Sequence, residues 1–279
     1  MQIARRDVDF VMDPARVPRD WCAGDAYETT FMNALSLLFP EGEKFFVESV
    51  KQLKHHVTDP VLTEQVAGFI GQEAMHGREH RAFNDLLVAQ GFTRAPKVEA
   101  RVRRGLDHAR RRLSKKSQLA ITCALEHFTA ILAEQLLASE RLRSEFHLEM
   151  LPLWLWHALE ESEHKAVAFD VYRAAGGGYV HRSLWMLVTT VMFFAGQAAA
   201  HVEMMVSRGI LFRPWRWLPG LLHMWLWPGY LSRLAPAYLS YFRPGFHPSD
   251  RDNRALVTRW RDHLFGADGV LRGQLRAVA

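Results

Sequence analysis

Two short helical motifs constrain this chain more than its composition does. In Gln72-Glu73-Ala74-Met75-His76 a carboxylate and an imidazole stand three residues apart, and Glu160-Glu161-Ser162-Glu163-His164 repeats that spacing at Glu161 and His164. On an α-helix such a pair lies on one face a turn apart, so both side chains reach one point. A single Glu-x-x-His is an ordinary event on a solvated helix. Two copies alternating with Glu43 and Glu126 are not, because those two lie among Phe39, Phe45 and Phe46 or Ala124, Leu125 and Phe128, where an unpaired carboxylate is costly to bury. The order Glu, Glu-x-x-His, Glu, Glu-x-x-His points to metal ligation by Glu43, Glu73, His76, Glu126, Glu161 and His164.

The intervals between these residues leave room for helices to run out and return at about 1.5 Å per residue. Helices are expected from Thr29 to Lys54, Pro60 to Gln90, Ser114 to Glu140 and Pro152 to Ala174, with Pro40 and Gly42 interrupting the first. Asp59-Pro60 is a start signal, and Gly91 and Gly176-Gly177-Gly178 are stops. The stretch from Phe92 to Leu113 reads as the long crossover of a bundle. The fold expected is all-α, a ferritin-like four-helix bundle over residues 29–178, with an irregular lead-in over 1–28 and additional C-terminal helices over 179–279.

Composition adds limits. Hydrophobic residues are 49% and charged residues 23%, as in an ordinary folded chain, and Cys22 and Cys123 give no disulfide framework or thiolate zinc spacing. With no apolar signal stretch before Asp7, Asp9 and Asp13, a cytoplasmic location is expected. Net charge is +5, concentrated in Arg101-Val102-Arg103-Arg104 and Arg110 to Lys116. No recognition module accompanies it, so nucleic acid is not an expected partner. After Gly178, the nearly uncharged run Leu184–Ala200 and the tryptophan-rich segment Trp215–Trp227 read as helices packed on the bundle or on a second subunit in a homodimer. Peripheral docking on a membrane surface is the alternative.

The segments LSLLFPEGEKFF, GFIGQEAMHGREHRAFN, ALEHFTAILAE and WHALEESEHKAVAFDVY resemble those of the bacterial family labelled predicted metal-dependent hydrolases, over about residues 20–240. A more distant resemblance is to the di-iron arylamine N-oxygenases, which add a histidine four residues before the final Glu-x-x-His. That resemblance implies His157 as a further ligand. His80, Glu134, Glu160 and Glu163 are candidates to orient ligand histidines, Glu41 is the reserve for Glu43, and His127, turned about 100° from Glu126, is left out.

Mixed carboxylate and imidazole ligands suit two ions, iron first, manganese next and zinc less. The expectation is an oxidase or oxygenase in which dioxygen, a small apolar or aromatic substrate and an unidentified electron donor meet at two iron ions. The alternative, which the family label implies, is hydrolysis by metal-activated water. A third reading is a non-catalytic metal-binding bundle.

Overall fold

The computed structural model describes residues 3–276, so the first two residues of the lead-in and the last three of the C-terminal segment lie outside it. The chain is all-α: among the described residues β pairing is limited to the isolated bridges Val8 with Leu275 and Cys22 with Phe146.

Where one helix is expected from Thr29 to Lys54 there are two, α1 (Ala26–Ser36) and α2 (Phe39–Leu53). Asp25 caps α1 by accepting from the backbone N–H groups of Tyr27 and Glu28. The break falls at Leu37 and Leu38, and Pro40 explains it, because proline has no N–H to give the Ser36 carbonyl four residues back. The freed Ser36 carbonyl faces the Asn84 side-chain amide at 3.5 Å. α3 (Pro60–Ala89) follows the expected signals, with Asp59 as cap and Gly91 at φ +88° after its end.

The crossover read between Phe92 and Leu113 is itself a helix, α4 (Ala95–Arg112). Its apolar stripe, Ala95, Val98, Val102, Leu106 and Ala109, has helical spacing but is hidden in sequence by the arginines around it. Several of those arginines are paired across helices: Arg103 with Glu41, Arg110 with Glu48, and Arg94 and Arg101 with Glu203. α5 (Lys115–Ala138) starts on Ser114, whose hydroxyl accepts from the Ser117 N–H, and a short α6 (Glu140–Ser144) follows. The fourth expected helix is also two, α7 (Leu151–His164) and α8 (Val167–Ala174), parted immediately after His164. Beyond Gly178 come α9 (Tyr179–Arg208), α10 (Leu218–Trp225), α11 (Ala235–Ser240) and α12 (Arg254–Phe265).

α2 packs along α3 and α5 along α7, and the two pairs meet through α2 on α5 and α3 on α7, an arrangement compatible with a ferritin-like bundle. α9 lies across α1 and α5, α10 on α1, α11 on α5 and α12 on α7. By length and composition α5 and α9 are both apolar enough to cross a membrane. They differ in burial. The most apolar stretch of α5 is 67% buried, that of α9 only 22%.

Residues 3–10, irregular as expected, run along α3. A Cβ added to Gly68 would stand 2.3 Å from the Ile3 carbonyl oxygen, and one added to Gly71 would stand 3.1 Å from Arg5 Cβ, so the two glycines let backbone lie on helix. Gly68→Ala is therefore expected to lift the lead-in and cost ~1–3 kcal/mol, the usual penalty of overpacking. Urea unfolding together with limited proteolysis near the N-terminus checks this; unchanged stability and unchanged protection would show that the segment is not anchored there.

Candidate metal centre

The four helices bring all six residues of the two motifs and their intervening glutamates to one place. Glu43 comes from α2, Glu73 and His76 from α3, Glu126 from α5, and Glu161 and His164 from α7, each 2% exposed or less. His157 joins them one turn before Glu161. The Gly77 position helps α2 approach α3, since an added Cβ there would lie 3.3 Å from Glu43 Oε2 and 3.8 Å from the Pro40 carbonyl.

The cluster has two poles. At one, His164 Nε2 lies 3.0 Å from Glu73 Oε1 and 3.6 Å from both Glu126 Oε2 and Glu161 Oε2. At the other, His76 Nδ1 lies 3.9 Å from Glu73 Oε1 and 3.7 Å from Glu161 Oε1, while His157 Nε2 lies 3.0 Å from Glu161 Oε1 and 3.8 Å from Glu43 Oε1. Glu73 and Glu161 thus serve both poles, with Glu126 beside one and Glu43 beside the other.

Hydrogen bonds on the far side of each imidazole decide which nitrogen faces inward. His76 Nε2 lies 3.0 Å from Glu160 Oε2, and the other Glu160 oxygen receives Arg6, so the outer nitrogen is engaged and Nδ1 faces inward without a partner. His164 Nδ1 lies 2.9 Å from Gln72 Oε1; the Gln72 amide nitrogen donates to the Ala4 carbonyl and to Glu163, which fixes the oxygen toward the ring. His164 Nε2 is bare in consequence.

His157 is set by a longer chain. Asn84 donates from its nitrogen to Glu99, so its Oδ1 accepts the Ser36 hydroxyl at 2.9 Å, and Ser36 Oγ must accept from His80 Nδ1 at 2.9 Å. Burial holds His80 well below the usual imidazole range. A neutral His80 protonated at Nδ1 has a bare Nε2, which takes the His157 Nδ1 proton across 2.6 Å. His157 Nε2 faces inward and meets Glu161 Oε1 at hydrogen-bond distance, 3.0 Å. All three rings turn a nitrogen toward carboxylate oxygens, and those of His76 and His164 have no hydrogen-bond partner.

Lone pairs facing anions repel unless a cation lies between them. Both oxygens of Glu43, Glu73 and Glu126, together with His76 Nδ1 and His164 Nε2, are buried without a hydrogen-bond partner, and His164 and Glu73 lack hydrogen-bond alignment despite their closeness. Left to protons alone, burial and then the neighbouring glutamates push Glu43 and Glu126 well above the carboxylate range. Burial acts on Glu161 in the same sense, yet His164 and His157 hold it well below. Burial would depress His164 too, but Glu161 and Glu73 raise it well above the imidazole range. These opposed shifts describe charges in need of a common counter-ion. Oxygen and imidazole donors that converge with their outer N–H groups engaged fit a metal site.

A contrast lies between α1 and α10, where Glu28, Glu145 and His223 also converge. There both ring nitrogens are engaged, Nδ1 with Glu28 at 2.8 Å and Nε2 with Arg141 at 3.1 Å, so no lone pair is free.

The other expected residues divide. Glu160 orients His76 as expected; burial drives its carboxyl up to about 8 against the pull of Arg6. Glu163 binds Arg6, Arg261 and Gln72 and so orients His164 through Gln72. His80 stands behind His157. Glu134 is corrected: it pairs with Arg251 at the surface and orients no ligand, because its position on α5 turns it away from the bundle centre. Glu41 pairs with Arg103, and His127 bonds the Ala237 carbonyl at 3.0 Å. Sequence reasoning passed over Arg6, Gln72, Ser36, Asn84 and Thr129, whose hydroxyl donates to Glu161 Oε2. Gln72, polar beside a motif glutamate in an apolar stretch, was the one signal available.

A cavity of about 680 Å³ ends on this cluster, lined by Glu43, His157 and Glu161 at its polar end and by side chains such as Phe39, Phe46 and Phe128 elsewhere. Its volume is within the range of small-molecule sites.

Glu73→Ala and Glu161→Ala are expected to abolish stoichiometric metal binding, measured by elemental analysis; full retention in both would remove the site. His80→Phe, which keeps the ring but ends the proton chain, is expected to weaken binding ~10–100-fold in chelator competition.

The sequence model of the family described as predicted metal-dependent hydrolase matches residues 4–252. No curated protein matches the chain, and no solved structure does. That family overturns the expectation of an oxidase or oxygenase activating dioxygen at two irons. The physical reason is that carboxylates and imidazoles carry no redox requirement and serve a hydrolytic ion equally well. Matched over nearly its whole length, the chain belongs to the family of predicted metal-dependent hydrolases.

Proposed function

We propose that the protein hydrolyses an ester of an apolar acyl group with divalent metal ions that the Glu/His cluster would hold. The observation that carries this reading is the convergence of the inner nitrogens of His76, His157 and His164 on four buried carboxyl groups at the end of an apolar cavity. Residues Glu43, Glu73, His76, Glu126, His157, Glu161 and His164 would hold the ions. Iron or manganese suits the mixed donors, ahead of zinc, which favours fewer ligands. Bound there, divalent ions supply Lewis acidity and make water nucleophilic at neutral pH.

The chain's own groups do the rest. Phe39, Phe46 and Phe128 keep bulk water from the polar end, which strengthens each charge interaction there. Glu43 and Glu161 line the cavity, so two of the carboxyl groups that would hold the ions also face an ester bound there. Thr129, by donating to Glu161 Oε2, fixes the carboxylate that reaches both poles. The His157 ring is held against the cavity by Phe39, at 4.9 Å between centroids, and by the His80 chain behind it.

Metal-depleted protein reloaded with manganese, iron or zinc is expected to cleave 4-nitrophenyl esters, at the same rate with and without dioxygen. Glu43→Gln, which removes one of the oxygen donors, should lower bound metal and kcat together. Failure of every ion to support cleavage of carboxylic and phosphoric esters would remove the hydrolase reading, and a strict need for dioxygen would do the same.

A further inference from the structure

The cavity that ends on the metal cluster opens at the surface beside an uncovered apolar face. Its lining includes exposed Gly105, His108 and Arg112 of α4, and exposed Val188, Met192 and Gly196 of α9. The mouth therefore has a basic edge and an apolar edge.

The apolar edge belongs to a larger surface. α9 packs one side on α1 and α5, and turns Leu184, Leu187, Val191 and Met192 outward. Phe194 carries the surface onto α10 by touching Trp225, with ring centroids 6.2 Å apart, and Leu226 and Trp227 follow, exposed. After α9 the chain also exposes Phe212 and Trp215, at 90% and 71%. Apolar residues so placed are costly against water.

Charge identifies what covers them. Between Glu203 and Asp250 the sequence has no Asp or Glu, and Arg213, Arg216 and Arg233 stand exposed with no carboxylate partner among the described residues. A two-fold contact with a second copy would set this surface against itself, arginine facing arginine with no acid to answer. Tryptophan and arginine interleaved on an exposed apolar surface instead suit the headgroup layer of a bilayer carrying anionic lipid.

We propose that the α9 face and the segment Phe212–Trp227 rest on an anionic membrane, and that the cavity draws one acyl chain of a bilayer lipid toward Glu43, His157 and Glu161. The substrate class is then a lipid carboxylic ester, an assignment that rests on the hydrolase reading. In the reaction, water oxygen bonds to the acyl carbonyl carbon, the bond from that carbon to the alcohol oxygen breaks, and the water proton passes to that oxygen. A fatty acid and the deacylated lipid leave.

The test uses the full-length, metal-loaded protein with vesicles of phosphatidylcholine and phosphatidylglycerol at three to one, and with vesicles of phosphatidylcholine alone. Co-sedimentation is expected with the anionic vesicles and weaker with the neutral ones. Phe212→Ser with Trp215→Ser, all at exposed positions, should abolish it. Each of Arg213→Gln and Arg216→Gln should weaken it by roughly five-fold, the equivalent of one basic residue at an anionic surface. Phosphatidylglycerol carrying a photoactivatable diazirine on its acyl chain should label the α5 peptide holding Leu125 and Phe128, which line the cavity, as read by mass spectrometry. Gly196→Trp, at a point of the rim where an added Cβ meets nothing within 4 Å, should end that labelling and leave vesicle binding intact.

No binding to either vesicle, or self-association that hides these residues without lipid, overturns the proposal. Short 4-nitrophenyl esters separate the two readings. If they are cleaved by protein that ignores vesicles, the lipid assignment fails and the hydrolase stands. If vesicle-bound protein cleaves neither them nor lipid, the hydrolase reading fails while the docking surface stands.

Discussion

Four carboxyl groups and three imidazoles are taken out of water at a single point between α2, α3, α5 and α7, and much of the molecule is arranged to make that tolerable. Burying anions without partners costs several kcal/mol apiece, far more than a domain of this kind holds in net stability. A cation at the centre answers the inner side of the problem. The outer side is answered by protein: Arg6 and Arg261 reach Glu160 and Glu163, Gln72 braces His164, and Asn84, Ser36 and His80 act in series on His157.

Two consequences follow for architecture. The first is that the irregular N-terminal segment is structural, since Arg6 arrives from it to donate to Glu160 and Glu163 at 2.8–2.9 Å, and Gly68 and Gly71 leave it the room to do so. The second is that the break between α1 and α2 is part of the site. Pro40 ends the ladder of hydrogen bonds at Ser36, and the same residue then uses its hydroxyl to set the tautomer of His80. Local backbone chemistry and ligand chemistry meet at one serine.

The convergence of the candidate residues was legible because helical spacing is strict: Glu73 with His76, and Glu161 with His164, have to share a face. Glu43 and Glu126 were legible because burial among phenylalanines is improbable for a glutamate without a partner. The all-α class and the α3 and α5 boundaries followed from capping residues that act locally, Asp59 and Ser114. What stayed hidden depends on distant contacts. Arg6 has no motif of its own; its role exists only because α3 and α7 bring the lead-in and Glu160 together. The α4 stripe was masked by arginines whose partners, Glu41, Glu48 and Glu203, lie on other helices. Glu134 misled, because its distance from the ligands in sequence says nothing of which side of α5 it faces. Reaction type was the least legible feature, since one donor set serves redox and hydrolytic ions alike.

The pairing of Arg6 with Glu160 spans 154 residues of chain. A nascent polypeptide has long since released its first residues when the last ligand, His164, emerges, so the N-terminal strap has to wait unpaired for most of synthesis. The loop it closes is long, and long loops close slowly. The strap and the Glu/His cluster both wait on distant chain, and where a metal binds there its binding free energy becomes folding free energy. A chain that loses Arg6 leaves Glu160 with no cation beside it.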